Sequence, residues 1–200
     1  MDKGTKVMLS VGELAMANDK HIILTKQAII EKAGALFNEQ VPVISNYYRE
    51  VVMHDTALIA AVPKISKGEN YNGLPYVVMD FPATFSKENI FALRTMFWWG
   101  NFISITLHLK GSYKNRYASK ILKSISTDPD LYISVGEDEW QHHFEETNFR
   151  KSSSITNDLK LQMEVCSFFK VAVKYELHHW NMMQSVLPDG YKKIVEIISS

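Results

Sequence analysis

From Phe102 to Leu109 apolar and polar residues alternate without a break, with Ile103, Ile105, Leu107 and Leu109 on one side and Ser104, Thr106 and His108 on the other. Successive side chains of a strand point to opposite faces, so this stretch is a strand with one buried face, and the chain must build a sheet to hold it. Upstream, Tyr76 to Phe81 is a short apolar run opened by Gly73 and Pro75 and closed by Pro82, the punctuation of a buried strand. Between the two, Ser86 as a cap, Glu88 in the first turn and Ile90, Leu93 and Phe97 at helical spacing predict a helix that Gly100 ends. Tyr71 to Gly111 is therefore expected as strand, helix, strand, a crossover that would also allow the two strands to run parallel.

The remaining segments follow from the same patterns. Val7 to Met16 suits a short helix. Thr25 caps a helix from Lys26 to about Asn38, and Pro42 suits the first turn of another carrying Val43, Tyr47 and Val51. Pro63 to Gly73 is rich in turn formers and charge and is expected as a loop. A helix is predicted from Ser112 or Tyr113 to about Ile125, followed by a hairpin with strands Leu131 to Val135 and Glu139 to Thr147 around a Gly136 to Asp138 turn. The four-three spacing of Leu161, Val165, Phe168, Ala172, Tyr175 and His179 predicts the longest helix, from about Asn157 to Leu187. Pro188, Asp189 and Gly190 stop it, and Tyr191 to Ile198 forms a last helix. The expected fold class is α+β over one domain, residues 1–200: a helical N-terminal pair, a small, mostly antiparallel sheet of about four strands, and a long C-terminal helix packed on the sheet.

A net charge of zero argues against a surface tuned to nucleic acid or anionic lipid as a whole. Cys166 is the only cysteine, which excludes an intramolecular disulfide and a cysteine-rich zinc site. The amino terminus lacks a secretory pattern, and no apolar run reaches the roughly 18 residues that span a bilayer. With no Asn-x-Ser/Thr acceptor either, these features give the expectation of a soluble cytoplasmic protein.

No phosphate-binding G-x-x-x-x-G-K-S/T, dinucleotide G-x-G-x-x-G, zinc H-E-x-x-H or nucleophile G-x-S-x-G occurs. Alternation does define a polar sheet face. Placing Trp140, His142 and Phe144 on one side of the second hairpin strand leaves Gln141, His143 and Glu145 beside Ser104, Thr106 and His108. The first expectation is a binding or protein-interaction domain without a cofactor, taking a small molecule or a protein on this face through Ser104, Thr106 and Gln141. Asp80, at the end of the first strand, and the rings of Trp98 and Trp99 border it. A structural role for Asp80, capping the next segment or pairing with Arg94, is the favoured reading of that carboxylate. The alternative is a metal-dependent hydrolase or oxygenase in which His108, His143 and Glu145 hold one divalent transition metal with open positions for substrate. A third reading puts a polyanion on the basic run of Arg116, Lys120 and Lys123 beside Tyr113 and Tyr117, though the acidic segment from Asp128 to Glu146 offsets its field. His178 and His179 point about 100° apart on a helix and read as a surface histidine beside a core one, and Cys166 reads as packed in an apolar helix seam.

Overall fold

The computed structural model describes residues 7–125, 127–155 and 165–199. Their α+β architecture is built on one antiparallel sheet of seven strands in the order β1-β2-β3-β4-β7-β5-β6. The strands are β1 (Lys64–Tyr71), β2 (Leu74–Phe85), β3 (Ile90–Trp98), β4 (Phe102–Lys110), β5 (Tyr132–Ser134), β6 (Phe149–Lys151) and β7 (Phe168–Glu176). The helices are α1 (Val11–Asn18), α2 (Lys20–Val52), α3 (Thr56–Ile59), α4 (Ser112–Ile125) and α5 (Met183–Ser199).

The alternation from Phe102 to Leu109 becomes the central strand β4. Ile103, Ile105, Leu107 and Leu109 join the main core beneath α2, α4 and α5, together with Phe37, Ile44, Phe91, Leu93, Tyr117 and Tyr191. Thr95 of β3 and Tyr191 of α5 share a buried hydrogen bond of 2.7 Å that ties helix to sheet. A smaller cluster of Val78, Met96, Trp98 and Phe102 lies on the opposite face with Tyr71, Tyr76 and Phe144. β3 and β4 are thus covered on both sides.

Several expected elements change type. The sheet has seven strands rather than about four, and all its ladders are antiparallel, so the strand-helix-strand crossover is absent. The predicted helix at Ser86 to Gly100 is β3. Its apolar residues stand on both faces, Phe91, Leu93 and Phe97 on one and Ile90, Ala92, Met96 and Trp98 on the other, and a doubly buried strand has no period by which to recognise it. Ser86 does cap, but it closes a turn: its hydroxyl accepts from the Asn89 amide at 2.9 Å. Lys64–Tyr71 is edge strand β1 rather than a loop, paired only with β2. Its charged, exposed residues are those that protect a sheet edge, which is why it resembled a linker.

The predicted helix from Asn157 to Leu187 is replaced by strand over Phe168–Glu176, while its last residues, Met183 to Leu187, are helical and open α5. Phe168–Glu176 is β7, paired along its whole length with β4, and its helical spacing was coincidental with an FFKVAVKY run that suits a strand equally well. Residues 157–164 of that prediction lie outside the described residues. The C-terminal helix is instead α5, which contains Pro188 and Gly190 rather than stopping at them. At Gly190 a side-chain β-carbon would overlap the Tyr175 hydroxyl and crowd Ile105, so the glycine sets how closely the helix meets the sheet. At the other end the two helices divided at Pro42 are one, α2, whose buried Phe37, Gln40, Ile44 and Tyr48 run past the proline. The second hairpin strand is not Glu139 to Thr147: β6, at Phe149–Lys151, pairs with β5, and the chain from 136 to 148 has no regular structure.

Candidate binding site

On the second face of the sheet the register aligns Arg94 of β3 with Thr106 of β4, Ala92 with His108, and His108 with Lys170 of β7. The polar face expected from alternation therefore exists, but it is not open. Ser104, Thr106, His108 and Lys170 are 2%, 5%, 3% and 0% exposed.

The irregular chain 136–148 is pinned over this face. Lys170 Nζ donates to the carbonyl oxygens of Gln141 at 2.6 Å and Glu139 at 3.2 Å. The Tyr71 hydroxyl accepts from the amides of His142 at 2.6 Å and His143 at 3.0 Å, and donates to Gln141 Oε1 at 3.3 Å. Burial raises its pKa, which keeps that proton in place. Lys110 Nζ donates to Glu139 Oε1 at 2.7 Å. Arg94 grips Asp80 with two bonds of 2.7 and 2.9 Å and donates to His142 Nε2 at 2.8 Å. A guanidinium only donates, so His142 accepts with Nε2 and carries its proton on Nδ1. Its neutrality follows from burial first and from Arg94 and Lys170 next, which together hold it well below its usual range.

His108 lies deepest. Burial, then Lys170, Arg94 and Lys110, push its pKa down to about 3, so the ring is neutral. Its Nε2 stands 3.5 Å from Glu139 Oε2, and neither atom has a hydrogen-bond partner among the described residues. Trp140 and Phe168 pack edge-on against the ring.

The predicted residues thus divide. Asp80 serves Arg94, as the pairing weighed from the sequence requires. Gln141 serves the covering chain, accepting from Tyr71 and donating to Asp138 Oδ2 at 3.2 Å. Trp98 is core: its indole donates to the Tyr71 carbonyl at 3.1 Å and its ring meets Tyr71 and Phe102. His143 Nδ1 and Glu145 Oε2 come within 3.8 Å on a carboxylate that is largely exposed, while the acid beside His108 is Glu139. Among the described residues no three His, Cys, Asp or Glu side chains could hold a metal ion together. The basic run on α4 is engaged in packing: Arg116 pairs with Asp55 at 3.4 Å, and Lys120 donates to the last carbonyls of α5, Ile198 and Ser199, at 3.2 and 3.3 Å. His178 and His179 are both exposed with ring centres 3.8 Å apart, which corrects the core placement of His179. Cys166 is half-buried just before β7 and outside any helix, its carbonyl accepting from Lys114.

Trp99 behaves differently. Strand alternation sends Phe97 to the helix-covered face and Trp98 to the other, and Gly100, at φ +70°, turns the chain so that Trp99 stands at the sheet's end. There Phe97, Trp99, Leu177 and Trp180 meet Ile29 and Lys32 of α2 around an open cleft of about 360 Å³. Phe97 is the hub, edge to face with Trp99 at 6.2 Å and Trp180 at 5.8 Å. The indole N–H groups of Trp99 and Trp180 have no hydrogen-bond partner among the described residues, nor does the exposed Lys32 ammonium have any ion-pair partner there. Nothing in the sequence marked Trp180 or Lys32, because the cleft joins positions about 150 residues apart that only the packing of α2 across the sheet brings together. A larger hollow of about 550 Å³ lies between α2, α3 and β2, but Arg49 and Glu50 both line it and its Tyr48 hydroxyl is satisfied by the Leu58 carbonyl. Compared with known proteins, the chain matches no family model and no curated sequence.

Proposed function

We propose that this is a binding domain whose ligand site is the cleft of Trp99, Trp180, Phe97 and Lys32, and that it takes an apolar or aromatic group carrying a negative charge. The observation that carries the proposal is the pairing of half-buried aromatic walls with unpartnered donors. The rings supply apolar contact and the two indoles and Lys32 supply direction, the composition of small-ligand and peptide-anchor sites. The polar sheet face serves this role less well, since Lys170, Tyr71 and Arg94 spend their donors on the chain that covers it.

Tryptophan fluorescence titrations with phenylbutyrate and its neutral counterpart phenylbutanol test this. Saturable quenching by both is expected, weakened at least tenfold in Trp180→Ala. Lys32→Gln weakens phenylbutyrate by about threefold, the worth of an exposed ion pair, and leaves phenylbutanol unchanged. Absence of saturable binding to the wild type, or equal binding by Trp180→Ala, overturns the assignment.

A further inference from the structure

Every residue from Val7 to Thr25 is exposed, and α1 has no buried residue at all. This stretch is nevertheless well-formed helix for local reasons. Ser10 and Glu13 make a reciprocal capping box on α1, and the Asp19 side chain caps α2 by accepting from the His21 amide at 2.8 Å. The first contact that fixes α2 to the sheet is the ion pair of Lys26 with Glu69 of β1. Residues before it stand clear of the domain.

The composition of this arm is that of an interior. Of the 16 large apolar residues exposed among the described residues, nine lie in it: Val7, Met8, Leu9, Val11, Leu14, Met16, Ile22, Ile23 and Leu24, each 44% to 89% exposed. Such residues scattered singly over a surface are ordinary, but a contiguous group marks a covered site. Around α1 the sequence VGELAMAN is apolar apart from Glu13 and the terminal Asn18, and a helix apolar nearly all round is buried. An isolated helix of this length is also marginal in water, so its stability calls for packing.

We propose that the arm is covered by the same arm of a second copy, the two α1–α2 hairpins packing about a two-fold axis. Two features favour a second copy. At roughly 100 Å² for each of the nine side chains the arm offers on the order of 900 Å², close to the ~800 Å² that each partner gives to a standard interface. The whole chain has a net charge of zero, so two copies meet without long-range repulsion. Within the arm Glu13 and Asp19 outnumber Lys20, and Lys26, just beyond it, is engaged with Glu69. An arm with no excess of basic residues disfavours an anionic membrane surface, which calls for one, and α1 lacks the one-sided apolar face of a helix lying in a lipid plane.

Sedimentation equilibrium of the full chain at tens of micromolar tests it. The expected mass is twice the 22.9 kDa of one chain. Leu14→Glu with Ile23→Glu is expected to return the monomer without changing the thermal midpoint at dilutions where the wild type is itself monomeric, because both side chains are exposed in the single chain. A wild type that stays monomeric overturns the proposal, as does a dimer that persists in this variant. Flotation of the wild type with phosphatidylcholine vesicles, lost in the variant and accompanied by a monomeric mass, assigns the arm to lipid and overturns it too.

Discussion

His108 and Lys170 face each other across the β4–β7 ladder, and burial presses both toward their neutral forms, His108 down to about 3 and Lys170 down to about 8. For His108 the consequence is a pH dependence of stability with a definite sign. The unfolded chain takes up the proton near 6.5 and the folded chain only near 3, so in that window acid favours unfolding. Its contribution is intact above 6.5 and is lost as the pH falls toward 3. At about pH 5 the loss from this group is about 2 kcal/mol. Urea denaturation at about pH 7 and about pH 5 should therefore show a smaller difference in His108→Leu than in the wild type, by about that amount. Parallel pH dependences in the two proteins would show that His108 is protonated freely in the fold. The sequence placed His108 on the polar side of its strand correctly. What stands over it, Trp140 and Glu139 from an irregular segment, left no periodic trace.

Among the elements, the chain 136–148 owes its position to side chains from β1, β3, β4 and β7 rather than to a ladder of its own. Lys170→Met keeps most of the packing volume and removes the donor to the Gln141 and Glu139 carbonyls. Amides of 136–148 are expected to exchange at least tenfold faster in that variant while those of β3 and β4 keep their protection. Unchanged exchange would assign the pinning to Tyr71, Arg94 and Lys110. Helix α5 offers a contest of two effects at Gly190. Helix propensity favours alanine there by ~1 kcal/mol, whereas the overlap with the Tyr175 ring and the Ile105 side-chain end costs about 2 kcal/mol through their displacement in a packed core. Gly190→Ala is expected to be the less stable protein in urea denaturation, and a stabilised variant would mean that α5 sits further from the sheet. These elements also show where sequence periodicity failed. β3 and β7 are buried on both faces, so their apolar residues recur too densely to separate a period of two from one of 3.6.

For the molecule as a whole, three helices cover one face of a seven-stranded sheet, a pinned irregular chain covers part of the other, and an apolar arm stands clear. No helix among the described residues is long and apolar enough to cross a membrane. The α+β class, the strand β4 with its two faces, the helix α4 and the Asp80–Arg94 pairing were all open to inference from the chain alone, because each depends on neighbours close in sequence or on a clean period. The tertiary structure alone decided the strand order, the burial of Ser104, Thr106 and His108, the separation of His108 from the His143–Glu145 pair, and the meeting of Trp99 with Trp180 and Lys32. Those outcomes depend on which distant segments pack together, and packing is governed by the total apolar area that can be removed from water, a property of the assembled layers that no single segment carries.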